Sequence, residues 1–464
     1  MFNKKKIFLI IIITLLIIGI SVVNAQKVSN GTLTKKSSIN IQKTTLKEIS
    51  STKVFTQKKN KVSTNNITNK QVRKNVTQKS VKTEQKTHII NNNNFKNYFD
   101  SAGNINSSVS KGDILDFQGV INQSQSMKIS VPVNITSSTN DAKICLNTTA
   151  TSYFGNESGN SFTINKDAAY TNISKIIFYN TQFFIINTSY VTINNITTNV
   201  TDPYVGLGVG QCAIREFCEH ILVENSTFCT TNASWVATLV FTGVKDSIIR
   251  NNTIRGSGDV FNLLYLNTYN FPGVEVTDMT VNVNNTIENN YIDGTRAIAS
   301  AKCYAIGIFG SNNTIRNNTI NYSGVGITTG WVGSGESLSA GTKIINNSFI
   351  GGCNIVTPNN GEIINNTADT LSITTKNSII ENNTFNNIYV QTSDFILENY
   401  NISGNVLLSE NIKNITIKNS SFNSIDLRGN SGNNLEDIKL IQNKISTITI
   451  GKDRTGYVNN IEKN

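Results

Sequence analysis

The feature that most narrows what this chain can fold into is a short phrase, aliphatic-x-Asn-(Asn/Ser)-x-aliphatic or aromatic, repeated beyond residue 140. It reads Val223-Glu224-Asn225-Ser226-Thr227-Phe228, Ile249-Arg250-Asn251-Asn252-Thr253-Ile254, Ile287-Glu288-Asn289-Asn290-Tyr291-Ile292 and Ile315-Arg316-Asn317-Asn318-Thr319-Ile320. Further copies have their first Asn at 346, 365, 382 and 419, with a weaker one at Asn399. From first Asn to first Asn the steps are 26, 38, 28, 29, 19, 17, 17 and 20 residues. Periods in this range mark a solenoid: the shortest steps are the bare coil, and longer ones carry inserted loops. Those loops should concentrate a binding surface between residues 200 and 345.

The residue types make this solenoid β rather than α. Ile, Val, Thr and Phe flank the phrase and alternate with polar residues, as strands with one buried face require. The Asn must bend the chain, because Asn enters the left-handed region more readily than other non-Gly residues and its amide bonds to nearby backbone. Stacked coil on coil, Asn225, Asn251, Asn289, Asn317, Asn346, Asn365, Asn382, Asn399 and Asn419 are expected to form an amide ladder. The predicted fold is an all-β, single-stranded right-handed parallel β-helix of some 12 to 14 coils, roughly 60 Å long at about 4.8 Å per coil. Leucine-rich phrasing, Trp-Asp blades, calcium-binding nonapeptides and sustained 3.6-residue periodicity are all missing. An immunoglobulin-like array is the runner-up, but it lacks tandem Asn-Asn bends at one strand end.

Charge divides the chain. The net +11 resolves into 18 Lys/Arg against two acids over residues 1–90, and 23 against 28 beyond. The repeat region is therefore mildly acidic, which argues against nucleic-acid binding. At the N-terminus Lys4-Lys5-Lys6, an apolar run from Ile7 to Ile20 and Val23-Asn24-Ala25 read as a signal peptide over 1–25, with an uncleaved membrane anchor as the alternative. The protein is thus expected to be secreted or held at the cell surface. Residues 26–90, rich in Lys, Thr, Asn and Gln, gather no apolar face and read as a disordered basic tether, able to engage the cell's own anionic envelope. Short strand signals then give an N-terminal cap over 91–140, followed by the β-helix over 141–464.

On these repeats, and on Tyr98-Phe99-Asp100, Asp113-Ile114-Leu115-Asp116-Phe117-Gln118-Gly119, Pro132-Val133-Asn134-Ile135-Thr136-Ser137, Ile177-Phe178-Tyr179-Asn180-Thr181 and Val209-Gly210-Gln211-Cys212-Ala213-Ile214-Arg215-Glu216, the chain resembles the adhesin-like proteins of gut methanogenic archaea, within the wider pectate-lyase-like β-helix class. The resemblance implies a cell-surface glycoprotein with an adhesive role.

The wider class also contains polysaccharide lyases, hydrolases and epimerases, so catalysis must be weighed. Glycoside hydrolysis needs two carboxyl groups across the bond, and no Asn-Thr-Asp, Asp-Asp or Gly-His-Gly phrase supplies them. His88 falls in the tether, leaving His220 as the one histidine for a folded site. Asp202, Glu216, Glu219, Asp259 and Asp293, with Arg215, Arg250, Arg255 and Arg296, could line a saccharide groove but read better as a solvated face. Tyr204, Trp235, Tyr265, Tyr269 and Trp331 are candidate sugar-stacking rings, with Phe271 beside them. Cys212, Cys218, His220 and Cys229 have the residue types of a zinc site without its tight spacing, so thiols or a disulfide are expected first. Cys145, Cys303 and Cys353 read as core residues, and no cofactor is expected. Asn-x-Ser/Thr sequons recur, as at Asn134, Asn147, Asn195, Asn251, Asn317 and Asn382, with exposed turns the better acceptors. The expected function is display and adhesion to glycans or proteins of other cells, without catalysis; a polysaccharide-active enzyme is the rival.

Overall fold

The computed structural model describes residues 85–146, 160–201, 206–210, 218–267, 281–297, 304–329, 339–409, 411–427 and 435–450. All lie in one compact unit, Ser80–Asn464. The signal-peptide reading and nearly all of the tether fall outside the described residues.

The unit is a parallel β-helix. Every strand pairing between coils is parallel, and connections between parallel neighbours of this kind are right-handed. Three faces alternate around the coil. Face one is a ladder of twelve strands continued by three more, from Thr87–Ile90 to Glu436–Ile441. Faces two and three form one 21-stranded sheet, because long strands such as Thr227–Thr242 and Thr253–Asn267 run around the corner between them.

Register explains the core. On face one Leu115, Ile135, Ile173, Ile193, Val223, Ile249, Ile287, Ile315, Ile344 and Ile363 sit directly over one another, all buried. Face two stacks Phe228, Ile254, Ile292 and Ile320 likewise. Each buried side chain thus meets a like shape one strand spacing away, and fully burying one such residue stabilises by about 1.5–3 kcal/mol.

The corner between faces one and two corrects the expected ladder by one residue. The first Asn of each phrase, from Asn225 to Asn419, does make the bend, with φ between 49° and 62°, but it lies exposed. The amide ladder belongs to the next position, where Asn252, Asn290, Asn318, Asn347 and Asn366 are buried. Each of these donates its Nδ2 to a carbonyl of the preceding coil and to Oδ1 of the next ladder Asn or, from Asn366, Asn383. Bending needs positive φ and laddering needs an inward side chain; one residue cannot supply both. A shorter ladder through Ser247, Asn285 and Asn313 lines the corner that leads into face one.

The described solenoid also begins earlier than residue 91. Thr87–Ile90 already pairs in register with Ile114–Phe117. His88, expected in the tether, instead places Nε2 2.8 Å from Oδ2 of buried Asp113. The stretch 91–140 contributes strands to the same stacks, and its distinct feature is the 3-10 turn Phe95–Asn97, where Phe95 and Phe99 stack 4.7 Å apart within the core.

Candidate ligand-binding groove

Two of the three faces are covered along parts of their described length. On face three every residue of Ser161–Ile164, Gln182–Ile185 and Leu207–Gly210 is buried. Face one is closed by cross-strand ion pairs: Arg250 meets Glu224 at 2.7 Å, Arg316 meets Glu288 at 2.6 Å and Lys343 meets Glu362 at 2.8 Å. These partly exposed pairs contribute little to stability, and for Arg250 they fulfil the solvated-face reading.

Face two is different. Its outward column runs Tyr179, Asn199, Cys229, Arg255, Asp293, Asn321, one residue per coil. A groove of about 440 Å³ opens across the middle of this column, within the size range of small-ligand sites. It is lined by Cys229, Thr230, Thr231, Arg255, Gly256, Ser257, Asp293, Thr295 and Arg296.

The groove exists because register fails there on both sides of one strand. Thr230 pairs Gly256 but Ala233 pairs Gly258, so Thr227–Thr242 carries an extra residue. On the other side Arg255 pairs Asp293 but Ser257 pairs Arg296, so Tyr291–Ala297 carries one too. Such bulges bend a strand and re-aim its side chains; here Thr295 and Arg296, consecutive in sequence, are both exposed. Gly258 permits the narrow strand between them: its φ is +85°, and a Cβ would lie 2.6 Å from the backbone N and O of Ala233.

Charges in the groove do not close. Arg255 Nε lies 3.8 Å from Asp293 Oδ2, while Oδ1 accepts bonds from the Thr295 N–H at 3.1 Å and the Thr295 hydroxyl at 2.7 Å. Arg296 has no carboxylate in salt-bridge reach among the described residues. Thr230 is buried with its hydroxyl unpartnered. Burial pushes the Cys229 thiol pKa up, against the pull of Arg255 and Arg296.

The sequence candidates fare unevenly. Arg255, Asp293 and Arg296, scattered in the chain, do come together. Asp259 pairs with Ser234 along the neighbouring strand. Tyr265 is a correction: at 2% exposure, edge-on to Phe309, it is a core ring that no sugar reaches. Trp235 falls within Thr227–Thr242, and Tyr204, Tyr269, Trp331 and Phe271, with Asp202, Arg215 and Glu216, lie outside the described residues.

The zinc alternative is also corrected. Cys218 is buried in the core, Cys229 lines the groove and His220 is exposed at a corner, stacked on Tyr190; no group of three ligand-type residues forms among the described residues, while Cys212 and Cys303 lie outside them. Cys145, Cys229 and Cys353 are free thiols. Cys353 is a core residue as expected, its pKa pushed by burial to about 11, whereas Cys145 is only half-buried, on the outward column of face two.

A feature the sequence reading missed lies at the corner entering face one. Its left-handed position holds Asp246, Asn284, Asn312, Gly341 and Asn360 in later coils, but Tyr170, Tyr190 and His220 in earlier ones. The two tyrosine rings stack 4.8 Å apart and remain 62% and 44% exposed.

No family model matches the chain, and no curated protein matches it. Among solved structures it is similar to a mannuronic-acid-specific polysaccharide family 6 lyase from human gut microbiota, at 12% identity over 78% of this chain and 83% of that one, TM-score 0.37. It is similar to a tailspike protein from Acinetobacter baumannii bacteriophage Fri1, a capsular polysaccharide depolymerase, at 14% identity over 80% and 63% of the two chains, TM-score 0.32. A further similarity is to PfbA, a surface adhesin of Streptococcus pneumoniae, at 14% identity over 75% and 84%, TM-score 0.25. Likeness this distant transfers neither activity nor ligand.

Proposed function

We propose that this chain is a surface-displayed β-helix that holds glycans in the groove of face two without turning them over. The supporting observation is the single carboxylate lining that groove. Hydrolysis across a glycosidic bond uses two carboxyl groups about 5–10 Å apart. Among the described residues of the groove Asp293 stands without a second, and its oxygens are already engaged by Thr295 and faced by Arg255. What remains is the Ser257 hydroxyl and two guanidinium groups as donors, with the Thr231 and Thr295 oxygens as acceptors because their hydroxyls already donate to the Val200 carbonyl and to Asp293, on a floor of hydrogen-bonded strands. Such a site fixes a polyhydroxy ligand by position rather than by proton transfer.

Display fits the rest of the chain. The Met1–Ala25 leader would export it, and the basic segment 26–86 would hold it to an anionic envelope while the rod projects outward. The adhesin-like, glycosylated identity that the sequence resemblance implies belongs to this same reading. The test is retention of the full chain on a glycan array, run beside a polysaccharide-turnover assay with and without calcium. Retention with no product release is expected; release of saccharide products would replace the adhesive reading with the enzymatic one. Extraction from cell envelopes by high salt is expected if the basic segment tethers the protein, and failure of salt to strip it removes that part of the proposal.

A further inference from the structure

We infer that the groove is built for the carboxylate of an acidic sugar, with Arg296 as its anchor; this rests on the glycan-binding reading above. Two cross-strand Arg–carboxylate pairs in this molecule are arranged differently. On face one, Arg250 and Glu224 are direct cross-strand neighbours, and the guanidinium closes on the carboxylate at 2.7 Å. In the groove, Arg255 and Asp293 are also direct cross-strand neighbours, yet they stand 3.8 Å apart. Two things differ: Asp293 is one methylene shorter than Glu224, and the bulge turns Thr295 back so that its N–H and hydroxyl both bond Asp293 Oδ1. Asp293 is thus diverted, and Arg255 is not sealed into a pair.

Arg296 completes the imbalance. The same bulge exposes it beside Ser257 and provides no carboxylate. Two cations against one anion leave the groove with a net positive charge among described lining residues that are otherwise Cys, Thr, Gly and Ser. A guanidinium fork matches a planar carboxylate in two parallel hydrogen bonds. Around it the hydroxyls of Thr231, Ser257 and Thr295 suit a saccharide rather than an apolar acid.

The experiment uses the full chain and three probes: uronic-acid oligosaccharides, the same oligosaccharides reduced at the carboxyl to neutral sugars, and a sulfated oligosaccharide. The uronate oligomer is expected to bind more tightly than its neutral counterpart, and Arg296→Gln to weaken it roughly ten- to hundredfold. Arg250→Gln on face one should leave the affinity unchanged. Cys229 localises the event: uronate binding should slow its alkylation by iodoacetamide in the parent chain and not in Arg296→Gln. Equal affinity for acidic and neutral oligomers, or an unaltered affinity in Arg296→Gln, would overturn the inference and leave glycan binding standing. Tighter binding of the sulfated oligomer would overturn the carboxylate assignment. Failure of all three probes to bind, with Cys229 alkylation unaffected, would bring down the glycan-binding reading itself.

Discussion

Asn290 Oδ1 accepts two hydrogen bonds from Asn252 of the preceding coil, one from its backbone N–H at 3.0 Å and one from its side-chain Nδ2 at 3.1 Å. The motif repeats from Asn290 to Asn318 and from Asn318 to Asn347. Asn318→Ala would strip the acceptor from two donors of Asn290 and the donor from the Ile287 carbonyl, all in a buried corner. Each buried group left unsatisfied costs about 1–3 kcal/mol. Asn317→Ala touches none of these bonds and sacrifices only the tolerance of Asn for positive φ, about 1 kcal/mol, while Asn317→Gly should be near neutral. Hydrogen exchange on the flanking strands, Thr314–Arg316 and Thr319–Asn321, should therefore rank Asn318→Ala well above Asn317→Ala. An inverted order would return the ladder to the first Asn.

The repeat was legible because Ile-x-Asn-Asn-x-Ile states strand, bend and strand in six residues. Which Asn of the pair turns inward was not, since both are polar, both tolerate the bend, and only three-dimensional register separates Asn317 from Asn318. The groove was half legible. Arg255, Asp293 and Arg296 were visible as charges near loops, but their convergence depends on two bulges that a list of charges does not contain. Gly256-Ser257-Gly258 between Thr253-Ile254 and the mostly apolar run Val260 to Leu266 was the available signal, because Gly within a strand marks a bulge or a close approach. Likewise Thr87-His88-Ile89-Ile90 carried a short strand signal that the surrounding Lys and Gln concealed. The corner tyrosines left no trace, as nothing in Ala169-Tyr170-Thr171 distinguishes a left-handed bend from a strand.

Acid should loosen the first coil. Burial by itself would raise the Asp113 pKa, but bonds from the Ser110 N–H, the His88 ring and the Lys86 N–H together hold it below 3.8. A carboxylate depressed in the folded state gives stability that is present above its unfolded pKa and disappears as pH falls through its folded one. Protection of the Thr87–Ile90 amides should accordingly persist from neutrality to about pH 4 and be lost below it. Asp113→Ala should abolish it at neutral pH, at a local cost of about 1–3 kcal/mol. Protection that survives to pH 2 would show that Asp113 does not hold this strand.

The corner tyrosines invite a substitution test. Tyr190 sits at φ 60° where equivalent coils use Asn284 and Asn312, so Tyr190→Asn exchanges ring stacking on Tyr170 and His220 for a cheaper bend. Stacking contributes about 0.5–1.5 kcal/mol and the left-handed bend costs a bulky residue about 1–2 kcal/mol; the two nearly cancel, and the melting temperature should move little. Tyr190→Val loses the stack and keeps the strained bend in a β-branched residue, and should lower the stability of the coils around it. Equal destabilisation by Asn and Val would show that stacking, not backbone strain, dominates the position.

Gly258 and Gly256 separate the groove's backbone from its packing. A methyl at Gly258 would lie 2.6 Å from the backbone N and O of Ala233, with φ at +85°, so neither the neighbour nor the conformation can yield. A methyl at Gly256 would press on the buried Leu263 and Val260 side chains at 2.5 and 2.8 Å, an overpacking that side chains rather than backbone must absorb. Gly258→Ala is expected to cost about 2 kcal/mol or more, to unpick the bulge against Thr227–Thr242, and to speed alkylation of Cys229 as the strands part. Gly256→Ala should cost about half as much and leave Cys229 as slow as in the parent chain. Comparing the two alkylation rates checks this directly: similar rates would mean that the groove does not depend on the backbone approach at Gly258, and that the bulges are set elsewhere.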